Sequence, residues 1–207
     1  NVPTVNKGDA SVYAAVSGNY ATYVFVTTEG TIKGGTTDTS DVVYILSTTP
    51  DVSVDEDENT YYTYTAIVNG TKTTINANAD TVFVNNDGSP VESVGLYMDV
   101  TYDSDGYVDS ATLLDGTTAD DNHIYETYTT TDKISYKSGV MMIGDDAYSL
   151  ADDCVIRTVD GTTVKTVTAS KLASTYKDGL KASTNVSVIL DDDEVVTTLI
   201  LDISAES

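Results

Sequence analysis

The sequence predicts an all-β protein made of tandem small antiparallel β-sandwich or barrel-like units, with one short helix near residues 168–177. Three observations support this prediction. Runs rich in Thr, Val, Tyr and Ile suit a pleated, half-buried strand surface. Asn-Gly and Asp-Gly turns separate the runs, and one two-stranded pattern occurs three times. The 207 residues are ample to bury a core.

The repeated pattern is a hairpin, read as VYAAVSGNYATYVFV, LYMDVTYDSDGYVDSATLL and VSVILDDDEVVTTLILDI. The three turns are centred on Asn19, Gly106 and Asp193, each 87 positions after the one before. Such a period is typical of repeat proteins, in which each unit is a scaffold element. We therefore predict that residues 1–27 are the closing hairpin of a preceding unit and that β repeat units span 28–114 and 115–207.

Side-chain alternation defines the strands of these hairpins. In the middle copy the alternation predicts one apolar face formed by Leu96, Met98, Val100 and Tyr102. A turn follows at Asp103 to Gly106, and Tyr107 to Leu114 return as the second strand. The third copy repeats this alternation with Val186, Val188 and Leu190 before its acidic turn and Val195, Thr197, Leu199, Leu201 and Ile203 after it.

Two further elements lie between the repeated hairpins. Thr60–Val68 and Thr71–Asn76 flank Asn69-Gly70, which is the strongest short-range signal for a hairpin turn. The segment TASKLASTYK, residues 168–177, instead places Leu172 and Tyr176 four positions apart and stops at Asp178-Gly179. With Thr168 or Ser170 as the cap, this spacing predicts a short helix.

Composition restricts the partners of the chain. Acidic residues number 33 and basic residues 10, giving a formal net charge of −23. Phosphate binding needs Lys and Arg, so we expect neither a nucleic-acid partner nor an anionic membrane surface. No apolar run approaches the roughly 20 residues that span a bilayer, so membrane insertion is not expected. One Cys and many Thr, Asp and Tyr are typical of an exported bacterial protein.

No catalytic signature stands out in the sequence. The single histidine, His123, follows Asp120-Asp121-Asn122 and is expected on a solvated loop. Cys154 lies beside Val155 and Ile156, where a buried small hydrophobe is expected rather than a reactive thiol. Trp is absent, and no phosphate loop or His/Cys metal spacing occurs. We therefore predict that the protein is not an enzyme and has no catalytic residues.

Calcium is the one ligand with a physical argument. Asp103, Asp105 and Asp109 bring three carboxylates into one turn, and Ca²⁺ takes hard oxygen ligands from flexible loops. The alternative is a solvated acidic tip that favours the turn. Because the first copy has Ser17-Gly18-Asn19 at the same place, calcium is not expected as a property of the repeat. The fifteen tyrosines leave two alternatives open, cross-strand packing and contact with a glycan or a neighbouring subunit.

Several segments together resemble a known family: NVPTV, YATYVFVTTEG, VVYILSTT, YYTYTAIVNGTKTTI, GLYMDVTYDSDGYVDSATLLD and VSVILDDDEVVTTLILDI. They are similar to repeat regions of large secreted proteins of Clostridia-type bacteria that carry S-layer-homology domains. The resemblance implies a structural component at the extracellular cell surface. We expect a surface-layer or filament-forming protein whose partner is itself, joined through β-sheet edges. The alternative is an adhesin or a module that binds a cell-wall or host glycan, with calcium as a stabilising ion.

Overall fold

The structure, a computed structural model, describes residues 42–54, 58–68, 70–104, 106–116 and 122–204, and the backbone of four strands before residue 34. Two compact units are present, Asn1–Thr39 and Ser40–Ser207. In the smaller unit β2 pairs antiparallel with β3, and β1 pairs antiparallel with β4. These strands are β1 (Thr4–Val5), β2 (Ala10–Ser17), β3 (Tyr20–Thr28) and β4 (Ile32–Lys33).

The larger unit contains fourteen strands and one helix within the described residues. Its first half comprises β5 (Val43–Ile45), β6 (Asp51–Val54), β7 (Thr60–Val68), β8 (Thr71–Ala77), β9 (Phe83–Val84), β10 (Gly95–Tyr102) and β11 (Val108–Leu113). Its second half comprises β12 (His123–Tyr128), β13 (Ile134–Lys137), β14 (Val140–Ile143), β15 (Asp146–Asp160), β16 (Thr163–Thr166), α1 (Ala169–Thr175), β17 (Thr184–Leu190) and β18 (Val196–Asp202). The predicted all-β class with one short helix is confirmed.

The first half closes into a barrel. Its strands pair in the order β10-β5-β7-β8-β11, and the first strand of this order, β10, also pairs with the last, β11. β5 and β6 both pair with β7 and act as two halves of one interrupted strand. Counting β5 and β6 as strand 1, the order around this first barrel is 1-2-3-5-4. Strands 3 and 5, which are β8 and β11, run parallel.

The second half has the same circular order. Here strand 1 consists of β12 followed by β13. β12 pairs with β17, and β13 pairs with β14. Strand 2 is β14, strand 3 is β15, strand 4 is β17 and strand 5 is β18. Strands 3 and 5 are again parallel, and α1 lies between strands 3 and 4 in the sequence. The ladders are therefore mixed, unlike the antiparallel units that alternation predicted, because side-chain periodicity is the same for both directions.

The three repeated hairpins share one irregularity. In β10–β11 the pair Tyr102↔Val108 is followed by Thr101↔Ser110, so Asp109 of the second strand lies opposite no residue of the first. The pairs Leu190↔Val196 and Ile189↔Thr198 in β17–β18, and Val16↔Ala21 and Ala15↔Tyr23 in β2–β3, show the same shift. A conserved β-bulge supports a common origin of the three hairpins. The turn of the first copy, Gly18-Asn19, lies outside the described residues.

The two acidic turns are built alike. The N–H of Asp103 donates to Tyr107 O (2.9 Å), as the N–H of Asp191 donates to Val195 O (2.9 Å). The N–H of Gly106 donates to Asp103 O, and the N–H of Glu194 donates to Asp191 O. Both residues have positive φ, 83° for Gly106 and 61° for Glu194. The residue equivalent to Gly106 is therefore Glu194, one position later than the sequence spacing places it.

Apolar side chains form three clusters. One fills the first barrel, around Val43, Phe83 and Tyr97. Another fills the second barrel, where Leu172 of α1 packs with Ile134, Leu199 and others. The third lies between the barrels and joins Tyr44, Leu96 and Met98 to Val159 and Ile200. β5, the first half of strand 1 in the first barrel, is consequently buried on both faces.

The third cluster corrects the predicted alternation of β10. Leu96 and Met98 face the second barrel, whereas Tyr97 and Val100 face the interior of the first. A bulge at Asp99, where φ is 53°, shifts the phase between Met98 and Val100. The prediction that Leu96, Met98, Val100 and Tyr102 form one apolar face is therefore wrong. A one-residue shift moves every later side chain of the strand to the other face.

Candidate functional site

The two barrels of the larger unit are joined by polar contacts as well as by the apolar cluster between them. Arg157 of β15 donates from Nε to the carbonyl oxygen of Gly70 (2.8 Å), and its Nη2 donates to the same oxygen. Tyr44 donates to the buried carboxylate of Asp202 (3.1 Å), and Lys72 donates to Thr162 O. A Cβ on Gly70 would lie 3.1 Å from Val155 Cγ1. The two barrels therefore form one packed body.

Two short edge strands carry exposed apolar side chains. β6 pairs with β7 and with no other strand in the described part of the chain, and Val52 and Val54 on it are 61% and 60% exposed. β13 pairs with β14 on one side, and on its other side the N–H of Ile134 donates to Tyr176 O (3.1 Å). Tyr136 on β13 and Val140 on β14 are 37% and 36% exposed. An edge strand with exposed apolar side chains is a ready template for pairing with another chain.

The acidic turn of β10–β11 lies at one end of the first barrel. Asp103 Oδ1 accepts the N–H of Tyr107 (2.9 Å), which caps the turn. Asn78 Nδ2 reaches Asp109 Oδ1 at 2.8 Å and Asp103 Oδ2 at 3.4 Å. The structure thus brings Asp103 and Asp109 to one amide, whereas Asp105 lies outside the described residues. Among the residues with described side chains, no three acidic, His or Cys groups converge on one point, and calcium binding here stays a prediction.

Aromatic rings flank the same turn. Tyr61 of β7 stacks on Tyr107, with ring centroids 5.4 Å apart and an interplanar angle of 29°. Both rings are partly exposed, whereas Tyr64 is buried against Phe83 in the barrel interior. Tyr64 therefore packs in the interior, whereas contact of the exposed tyrosines with a glycan or a neighbouring subunit stays a prediction. Nothing in the sequence marks Asn78 as part of this turn, because it is brought there from the end of a neighbouring strand.

His123 and Cys154 both lie in strands of the second barrel. His123 begins β12 and is half-buried, which corrects its placement on a solvated loop. The polar residues before His123 conceal the start of this strand in the sequence. Cys154 packs against the core of the second barrel, and burial raises the pKa of its thiol to about 11.

A hydroxyl network is buried in the second barrel. Tyr128 donates to Asp146 Oδ2 (2.9 Å), and its oxygen lies 2.6 Å from that of Tyr148. Burial raises the pKa of both tyrosines, and the negative charge of Asp146 adds to the effect. Both phenols therefore remain protonated near neutral pH. A satisfied network of this kind holds strand 1 of the second barrel to strand 3.

Two tandem five-stranded Greek-key barrels define the class of this protein. The OB-fold belongs to this class of barrel, and its strand 2–3 face with the neighbouring loops binds oligonucleotides or oligosaccharides. A shared topology does not itself assign a function. Comparison of the chain with protein-family models, with curated proteins and with solved structures finds no match. None of the described residues belongs to a helix long and apolar enough to cross a membrane.

Proposed function

We propose that this protein is an extracellular structural protein, a repeat fragment of a bacterial surface-layer or filament-forming protein that self-assembles through β-sheet edges. The observation that carries the proposal is β6, a four-residue edge strand whose two valines are about three-fifths exposed. Native proteins usually protect such edges with charge, proline or a covering element. Within the described residues β6 has no second neighbouring strand, and an apolar edge of this kind can pair with another chain.

The joined barrels also support a structural role. The cluster between the barrels and the Arg157–Gly70 contact hold two repeat-like halves as one body. A polymer built from such bodies transmits load through packed interfaces rather than through flexible linkers. The extracellular location is supported by the composition and by the resemblance to secreted surface proteins.

Sedimentation velocity and negative-stain electron microscopy test the assembly. We expect polymers that grow with protein concentration. Replacing both valines of β6 in the variant Val52→Lys/Val54→Lys should abolish them, because edge lysines oppose strand addition. Val94→Lys is the matched control, since Val94 is 40% exposed but lies outside the strands. A wild-type protein that stays monomeric at all calcium and protein concentrations would contradict the proposal.

Glycan binding is the second candidate, and the stacked pair Tyr61–Tyr107 favours it. The pair lies beside the polar groups of Asn78, Asp103 and Asp109, and aromatic faces with nearby polar groups suit sugar recognition. The net charge of −23 favours a glycan over a nucleic acid. A glycan array and melting curves with and without calcium test this candidate, with Tyr107→Ala as the variant and Tyr136→Ala as the control. Stabilisation by one glycan without polymerisation would favour binding over assembly.

A further inference from the structure

We propose that a small cavity in the first barrel binds the ammonium group of a lysine side chain from a partner protein. The cavity lies where the barrel interior meets three loops, those between β5 and β6, between β8 and β9 and between β9 and β10. Neither β6 nor the Tyr61–Tyr107 pair lines it, so the inference goes beyond the proposed function. The polar residues of the lining are Thr48, Tyr64, Asp80, Glu92 and Ser93.

Three aromatic rings form the floor of the cavity. Phe83 packs edge-on against Tyr64, with ring centroids 4.8 Å apart, and against Tyr97, with centroids 4.9 Å apart. None of the three side chains is more than 4% exposed. Close packing of this kind fixes the rings, and it therefore holds the two tyrosine hydroxyls in place.

The two hydroxyls of the floor differ in their partners. The hydroxyl of Tyr97 donates to Ser93 O at 2.8 Å. The hydroxyl of Tyr64 makes no hydrogen bond within the described part of the chain, although this side chain is only 4% exposed. A buried phenol usually has a hydrogen-bond partner. The oxygen of Tyr64 is therefore an acceptor that a ligand entering the cavity can use.

Two carboxylates act on the same hydroxyl. Burial raises the pKa of Tyr64, and the negative charges of Asp80 and Glu92 raise it further. Asp80 lies in the loop between β8 and β9, and Glu92 lies in the loop between β9 and β10. Both carboxylates are exposed, so a partner can reach them from solvent. Two separate loops thus bring two negative charges to one buried oxygen.

This lining selects a small cation. The lining contains two carboxylates and no Lys, Arg or His. The cavity measures about 10 Å³, which is room for one group the size of a water molecule. An ammonium group has that size and carries three N–H donors. Tyr64, Asp80 and Glu92 can accept them, and hydrogen bonds between charged groups are the stronger kind.

A lysine side chain suits the cavity better than a metal ion or an amino sugar. Ca²⁺ takes about six to eight oxygen ligands, and among the residues with described side chains no three acidic, His or Cys groups converge on one point. The ammonium of an amino sugar sits directly on a ring, which a space for one group does not admit. The lysine ammonium ends a thin methylene stem, which Ile45 and Val91 of the lining can contact. The net charge of −23 also attracts basic partners.

An NMR titration tests the site with two small probes, N-acetyl-lysine amide and N-acetyl-norleucine amide. The second probe has the same stem without the ammonium group. In about 0.15 M salt, which screens long-range attraction, the lysine probe should shift the amide signals of Asp80, Val91 and Glu92. We expect a Kd of about 1 mM, since a small ligand with one anchoring group binds with an affinity of this order. The norleucine probe should shift none of these signals.

Matched variants test which groups hold the ammonium. Asp80→Asn and Glu92→Gln should each weaken binding about tenfold, because each removes a charged hydrogen-bond acceptor. Asp192→Asn is the control, since it removes the same charge from an exposed position between β17 and β18 and should leave the Kd unchanged. Tyr64→Phe keeps the ring beside Phe83 and should weaken binding about threefold. Melting curves confirm that all variants fold.

The outcomes separate a built site from general attraction to an acidic protein. Shifts that only the lysine probe produces, and that Asp80→Asn and Glu92→Gln weaken but Asp192→Asn does not, support the site. Equal losses in these three variants, or no shift with the lysine probe, overturn it. Binding of glucosamine or Ca²⁺ at the cavity without binding of the lysine probe overturns the assignment to lysine. None of these outcomes depends on self-assembly, which is measured separately.

Discussion

Arg157→Ala should destabilise the larger unit by about 2 kcal/mol. The guanidinium donates twice to the carbonyl oxygen of Gly70, and its Nη1 donates to Thr166 Oγ1. A hydrogen bond from a charged donor contributes about 1.5–3 kcal/mol, and leaving a buried acceptor unpaired costs about 1–3 kcal/mol. Gly70 is buried, whereas Arg157 is half-buried, so a value within the lower part of these overlapping ranges is expected.

Scanning calorimetry at neutral pH measures this effect. About 2 kcal/mol corresponds to a fall in Tm of roughly 4–8 °C for a unit of this size. Arg157→Lys should lose part of the stability, since an ammonium keeps the charge but lacks the planar fork. Lys165→Ala, on an exposed position of β16, should change stability by less than about 0.5 kcal/mol. If Arg157→Ala shifts Tm no more than this control does, the contact between the barrels does not contribute as argued.

Three further outcomes are expected. Leu172→Ala should cost about 2–5 kcal/mol in chemical denaturation, because the side chain is 2% exposed in the second core; Ser170→Ala, on the exposed side of α1, is the comparison. Cys154 should react with a thiol reagent at pH 8 more than tenfold slower than free cysteine, since burial raises its pKa to about 11; equal rates would show an accessible thiol. Burial raises the pKa of Tyr97 from 10.0 to about 12, so its contribution to stability is complete below pH 10 and is lost as pH rises towards 12. Denaturation at pH 9 and 11.5 measures that loss, and a Tyr97→Phe variant should show less of it.

Much of the fold follows from local patterns. The hairpin at Asn69-Gly70 is present between β7 and β8, and the helix has Thr168 as its N-cap and Leu172 as its buried residue. These features depend on turn chemistry, capping and spacing, all of which are encoded within a few neighbouring residues. The alternation of β17 was also correct, since Val186 and Val188 both face the core of the second barrel.

Predictions failed where a distant part of the chain altered a local rule. β10 has apolar residues on both faces because the second barrel covers one of them, and the bulge at Asp99 then changes the phase. The acidic turn is a similar case. Its spacing brings Asp103 and Asp109 together, but Asn78 comes from the end of another strand and cannot be found by spacing.

The sequence by itself determined the β class, the hairpins and the helix, because turns and caps act over a few residues. Only the tertiary structure decided which strands pair in parallel, where the barrels meet and which strands have one neighbouring strand within the described residues. Val52 and Val54 look in the sequence like any core alternation. Whether such residues are buried or exposed depends on which strand lies beside them, and that neighbour is fixed by closure of the barrel rather than by adjacent residues.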